Sequence, residues 1–193
     1  MKICLVRHGQ TDWNKSHLWQ GLTDNPLNET GLAQAAAVGE ALKGMAWDAA
    51  FSSPLIRAQQ TAQQICAACG LEPPTPVDGA FLERDFGRYE GTVIPDHPLD
   101  EADPTLEPME QVRDRMEAAL LKLCGEQYGK NIIIASHGRA SRALLERLFG
   151  VEAVGHLKNC SMSLFEYREG AFRPILINRT PEQFTQDKQE LGL

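Results

Sequence analysis

The chain has 193 residues, enough for one domain with a sizeable core, and 42% hydrophobic with 23% charged residues is the composition of a soluble globular protein. A formal net charge of −7 and a pI of about 5.2 argue against a non-specific binder of nucleic acid or of anionic membranes. No apolar stretch approaches the ~18 residues of a membrane span, and Met1-Lys2 leads straight into a strand pattern rather than a signal peptide, so a cytoplasmic protein is expected.

Residues 1–6 read as a first strand, followed by a polar loop through Asn28. Glu29-Thr30-Gly31 opens an alanine-rich helix to about Lys43, and a second strand is expected over 47–51. Ser53-Pro54 reads as a helix start, serine as N-cap and proline in the first turn, with Gly70 ending that helix after Cys69. A short strand is expected between Glu72 and Asp78. Pro95, Pro98, Pro104 and Pro108 keep the segment 88–108 irregular. A helix over 109–127, a strand over 131–135 and a helix over 139–149 follow, then two runs, 161–168 and 171–178, around a Glu169-Gly170 turn. The pattern implies an α/β fold: a three-layer α/β/α sandwich whose mostly parallel sheet gains an antiparallel addition at the end. One domain over 1–180 is expected, with a polar C-terminal tail over 181–193 that frays.

Two His-Gly dipeptides follow apolar runs directly, Leu5-Val6-Arg7-His8-Gly9 and Ile134-Ala135-Ser136-His137-Gly138. Strand ends in open α/β sheets are where ligands bind, so two imidazoles from opposite ends of the sequence can meet in one pocket. Arg7-His8-Gly9 has the ingredients for phosphoryl transfer. A neutral imidazole is a competent nucleophile, Arg7 offers a planar fork for phosphate oxygens, and Gly9 is expected at positive φ, letting the backbone approach an anion. The five cysteines are odd in number and irregularly spaced; Cys66-Ala67-Ala68-Cys69 lacks a second pair, and all are read as apolar filling. His17, His97 and His156 match no motif and are read as solvated or structural. No histidine pair has metal-ligand spacing, so neither metal nor cofactor is expected. Trp13 and Trp19 either floor a pocket or pack under the long loop.

The opening Leu5-Val6-Arg7-His8-Gly9-Gln10-Thr11-Asp12-Trp13-Asn14 resembles the signature of the histidine phosphatase superfamily, the group of cofactor-dependent phosphoglycerate mutases and many small-molecule phosphatases. Four further blocks match in order: Gln20-Gly21-Leu22-Thr23-Asp24-Asn25-Pro26-Leu27, then Ser52-Ser53-Pro54-Leu55-Ile56-Arg57-Ala58, then Leu82-Glu83-Arg84-Asp85-Phe86-Gly87, then Ile134-Ala135-Ser136-His137-Gly138. The likeness spans about residues 3–178 and implies a phosphoglycerate mutase-like fold. It also implies His8 as the nucleophile, with Arg7, Arg57 and His137 holding phosphate oxygens. Asn14 matches a phosphate contact, and Gln20, Gly21, Gly138 and Arg139 fall at substrate-facing positions. Glu83 matches the general acid, with Asp85 a rival two positions on. Such an acid must hold its proton near working pH.

The reading is a metal-independent phosphomonoesterase acting on a small phosphorylated metabolite; alternatives are a phosphoglycerate mutase-type phosphotransferase and a non-catalytic phosphate-binding protein on the same fold. Mutases of this family carry a longer insertion after the proton-donor block, bearing lysine and paired arginines. Here Arg88 is the one lysine or arginine of 88–108, among Glu90, Asp96, Asp100, Glu101, Asp103 and Glu107, and carboxylates facing the pocket would repel a second phosphate. Arg139 stands where phosphatases of the family often have glycine and mutases asparagine. It either faces the cleft and reads an anionic group such as a carboxylate, or is an exposed arginine of the first helical turn. The natural substrate and the oligomeric state are left open.

Overall fold

Alternating apolar side chains on the central strands dictate two buried faces, and helices cover both. The computed structural model describes residues 1–77, 79–150 and 154–193. A six-stranded sheet is built from β1 (Lys2–Arg7), β2 (Ala49–Ser52), β3 (Thr75–Pro76), β4 (Ile132–Ser136), β5 (Met162–Arg168) and β6 (Ala171–Arg179), in the order β3-β2-β4-β1-β5-β6. β1 pairs parallel with β4, as β2 does with β4 and β3, whereas β5 runs antiparallel to both β1 and β6. This is the mostly parallel sheet with an antiparallel addition that the sequence predicts.

The pleat sorts the core. Ile3 and Leu5 of β1, with Ile132 and Ile134 of β4, pack under α4 (Met109–Glu126) and α5 (Gly138–Phe149). Cys4 and Val6, with Ile133, face the opposite layer, formed by α2 (Glu29–Leu42), α3 (Ile56–Cys69) and α6 (Pro181–Leu191). A third, smaller cluster of Trp19, Phe86 and Leu106 sits beneath the loop regions. Among the described residues, no helix is long and apolar enough to cross a membrane.

Three local expectations need correction. α3 begins at Ile56 rather than at Ser53-Pro54, and its first amide is capped from a distant loop: Ile56 N–H donates to Asp24 Oδ1 at 2.7 Å. The strand expected between Glu72 and Asp78 is reduced to Thr75–Pro76, and Asp78 lies outside the described residues. The residues after Thr180 do not fray. They form α6, started by a capping box between Thr180 and Gln183 and anchored by the fully buried Phe184. In the loop after β1, the one-turn α1 (Asp12–Lys15) is likewise closed by a capping box between Thr11 and Asn14.

Candidate active site

β1 and β4 are adjacent and parallel with Arg7 opposite Ser136, so both His-Gly dipeptides leave the sheet at the same edge. His8 N–H extends the pairing by donating to Ser136 O at 2.9 Å. The two imidazoles then lie with ring centroids 5.2 Å apart at 60°. The glycine behind His8 serves a different purpose from the one expected. Gly9 does not adopt positive φ, and its N–H is taken by Thr61 Oγ1 at 3.0 Å. A Cβ there would stand 2.4 Å from Gly31 O, so Gly9 is small because α2 passes against it.

The tautomer of His8 follows from its neighbour. Nδ1 lies 2.7 Å from Gly9 O, and a carbonyl can only accept, so Nδ1 carries the hydrogen and the lone pair is left on Nε2. Burial first, then the positive charges of Arg57 and Arg7, push the His8 imidazole well below its ordinary pKa. At neutral pH it is therefore an uncharged base with its free nitrogen at Nε2.

His137 is held differently. It is fully buried, its Nε2 lies 2.7 Å from Ser53 Oγ, and its Nδ1 accepts from Arg57 Nε at 3.3 Å. Burial and Arg57 push it well below its usual pKa too. Both nitrogens are thus occupied, and His137 does not line the cavity described below. His137 thus orients Arg57 through its ring, beside the His8 imidazole 5.2 Å away.

The arginines converge from two elements. Arg57, with no exposed surface, sits in the first turn of α3 and donates to Gly21 O and Thr23 O, both at 2.7 Å. Burial pulls its guanidinium down to about 10, opposed by Glu83, Asp24 and Glu90, so it remains a cation at neutral pH. Arg7 ends β1 and donates through Nη1 to Leu157 O, while its buried Nε has no acceptor among the described residues. Gly138 gives it room, since a Cβ there would lie 3.1 Å from Arg7 Nε.

Of the two rival carboxylates, Glu83 is the one at the cavity. It is buried and accepts from three amides: Arg84 N at 2.9 Å, Ala140 N at 2.8 Å and Arg139 N at 3.1 Å. The last two are first-turn amides of α5, a natural seat for a carboxylate. Asp85 does not line the cavity and accepts from Gly87 N at 2.7 Å.

These groups border a cavity of about 200 Å³. Arg7, His8, Asn14, Gly21, Arg57 and Glu83 line it, with Gln20, which accepts from Thr11 Oγ1 at 2.9 Å. Gly138, Arg139 and Trp19 continue the wall, so Trp19 is both cavity wall and core. Sequence reasoning missed Arg142 and His156 on this wall, and Ser53 as the partner of His137. His156 was read as solvated or structural; it is brought in by a segment that precedes β5 and carries no motif. Only the serine had a signal, its place in the Ser52-Ser53-Pro54 block.

A family model for the histidine phosphatase superfamily, branch 1, matches residues 3–180. The chain belongs to this superfamily. Among its relatives is the uncharacterized phosphatase PhoE of Bacillus subtilis, 38% identical over 177 residues that cover 89% of this chain and 91% of that one. The probable phosphoglycerate mutase GpmB of Yersinia pestis is 34% identical over 187 residues, 88% of this chain and 86% of its own. Among solved structures, the phosphoserine phosphatase of Entamoeba histolytica in complex with 3-phosphoglyceric acid superposes with a TM-score of 0.79 at 29% identity, covering 93% and 97% of the two chains. Membership makes this chain an enzyme of the phosphatase family, with the phosphoglycerate mutase-like fold that its motifs imply.

Within this histidine phosphatase, the acidic segment 88–108 departs from expectation. It contributes Ile94 to the cavity and no carboxylate. Glu90 is spent on Leu22 N at 2.8 Å and Thr23 N at 3.0 Å, Glu107 on Arg115 at 2.7 Å, and Asp103 on Thr105 N at 2.9 Å and on Arg88. These acids brace loops, so repulsion of a second phosphate by them is not an argument against a mutase.

Proposed function

We propose that this enzyme hydrolyses phosphomonoesters of small metabolites through a phosphohistidine on His8. The observation that carries the reading is the neutral His8 imidazole with its lone pair on Nε2, in a cavity lined also by Arg7, Arg57 and Glu83. The phosphate takes the free Nε of Arg7 and the charge of Arg57 as its counter-ions, with Asn14 and Gln20 as polar neighbours. Nε2 attacks phosphorus, the P–O bond to the alcohol breaks, and the leaving oxygen takes the proton that the substrate, bound as its monoanion, has passed to the Glu83 carboxylate. Water then attacks phosphorus and gives a proton to the Glu83 carboxylate; the P–N bond breaks and neutral His8 is restored. Phosphoryl transfer of this kind is mostly positioning and charge stabilisation, which two guanidinium groups supply without a metal.

The alternative fate is transfer to a second alcohol, as a mutase performs. Arg139 and Arg142 on the cavity wall give that reading some electrostatic support. Hydrolysis is favoured by the small cavity, below the ~300 Å³ at which drug-sized ligand sites begin, which suits a monophosphate better than a bisphosphate. The test is release of inorganic phosphate from p-nitrophenyl phosphate in excess chelator. Wild type turns over, and His8→Ala loses roughly three orders of magnitude or more. Activity surviving that substitution sinks the nucleophile assignment, and phosphoryl transfer to a phosphoglycerate without net phosphate release favours the mutase. A protein that binds phosphate esters and does neither is the non-catalytic reading.

A further inference from the structure

One cation on the cavity wall has no hydrogen-bond partner for its guanidinium among the described residues. Arg139 lines the wall, and its guanidinium has no hydrogen bond or ion pair among the described residues. It lies over the Trp19 indole at 5.5 Å from the ring centroid. Trp19 is itself buried, and its Nε1–H has no acceptor among the described residues. The neighbouring cations are already paired: Arg142 with Glu146 at 2.6 Å, Arg84 with Glu101 at 2.5 Å, and Arg88 with Asp103. The carboxylates that act on Arg139 through space are Glu83 first and then Glu101, but Glu83 is held by three amides and both oxygens of Glu101 by Arg84.

The position of Arg139 relative to the chemistry is fixed by the backbone. Its amide donates to Glu83 Oε2 at 3.1 Å, and the preceding Gly138 abuts Arg7. Glu83, Arg7 and Arg139 therefore border one cavity as neighbours. Leu18, Phe86 and Ile94 line the space around them with carbon.

Resting on the phosphomonoesterase reading above, we infer that Arg139 selects phosphomonoesters bearing a carboxylate on a short carbon skeleton, with Trp19 as the platform that holds its guanidinium. Phosphate sits at Arg7 and His8, the ester oxygen faces Glu83, and the carboxylate reaches Arg139. One uncommitted guanidinium matches one monoanion in a bidentate pair, and a second phosphate dianion would call for more.

The experiment reads a ratio, so that a general effect of a substitution on catalysis cancels. 3-Phosphoglycerate and glycerol 3-phosphate differ by a carboxylate in place of a hydroxymethyl group. The wild type favours the carboxylated ester in kcat/KM by roughly tenfold or more. Arg139→Ala brings the ratio to near one, and Arg139→Lys, which keeps the charge without the fork, falls between. Trp19→Leu lowers the ratio through KM, without a matching change in the ratio of kcat values. A wild-type ratio near one, or a ratio kept in Arg139→Ala, overturns the inference. Calorimetry in the His8→Ala background reads the same ratio as affinities. If no ester is turned over by the wild type, the hydrolase reading fails while that affinity ratio still decides the role of Arg139.

Discussion

A buried imidazole beside two guanidinium groups holds its place only while it stays neutral. In the unfolded chain His8 and His137 titrate near ~6.5, and in the fold both lie well below that value. Below ~6.5 the unfolded chain takes up protons that the folded chain refuses. The stability associated with the neutral pair is therefore complete above ~6.5 and declines as pH falls toward the folded values. Denaturant midpoints at pH 7.5 and 5.5 should show that decline, and His8→Gln should flatten it; equal midpoints in the wild type contradict the assignment. At this scale Glu83→Gln also has a graded outcome. Turnover should fall by roughly 10²–10⁴-fold, with the larger loss for alkyl phosphates whose leaving oxygen needs a proton and the smaller for p-nitrophenyl phosphate. Arg7, His8 and Arg57 were legible in the sequence because each sits inside a motif at a strand end or helix start, and Glu83 because its loop block matches a motif. His156 and the Asp24 cap were not, since both depend on loops brought together from distant parts of the chain.

Elements were legible wherever the apolar period was strong, which is why β1, β4, α2 and α4 fall within about two residues of expectation. α6 was missed because its face toward the protein is narrow, with Phe184 its one fully buried apolar residue, and the rest of the segment reads as polar. The signal present was the Thr-x-x-Gln box at Thr180–Gln183, which closes the helix start from both sides. Phe184→Ala should cost about 3–5 kcal/mol by chemical denaturation, and Thr180→Ala about 1 kcal/mol. Losses near zero would mean that α6 is not docked against α2 and β6. The contact between the loop after β1 and α2 is equally demanding. A Cβ on Gly31 would stand 2.1 Å from Gln10 O, so Gly31→Ala should destabilise by about 1–3 kcal/mol despite alanine's better helix propensity. A stabilised Gly31→Ala would show that the approach is looser than described.

For the whole molecule, an acidic chain of net charge −7 gathers Arg7, Arg57 and Arg139 around one cavity. The sheet makes that possible by setting β1 beside β4, so that residues 129 positions apart in sequence deliver their histidines to one edge. Loops carry the rest: the segment 17–19 pairs with 91–94 through Trp19 N to Thr92 O at 3.0 Å and Ile94 N to His17 O at 2.8 Å, closing the wall around Trp19. The account stands or falls on a covalent bond at His8. The direct measurement is peptide mapping by mass spectrometry after alkaline quench during steady-state turnover of a phosphomonoester. One phosphoryl group on the peptide carrying His8, absent from His8→Ala and lost on standing at the rate of turnover, is the result expected. Turnover with no phosphoryl group on His8, or with one on another residue, contradicts it.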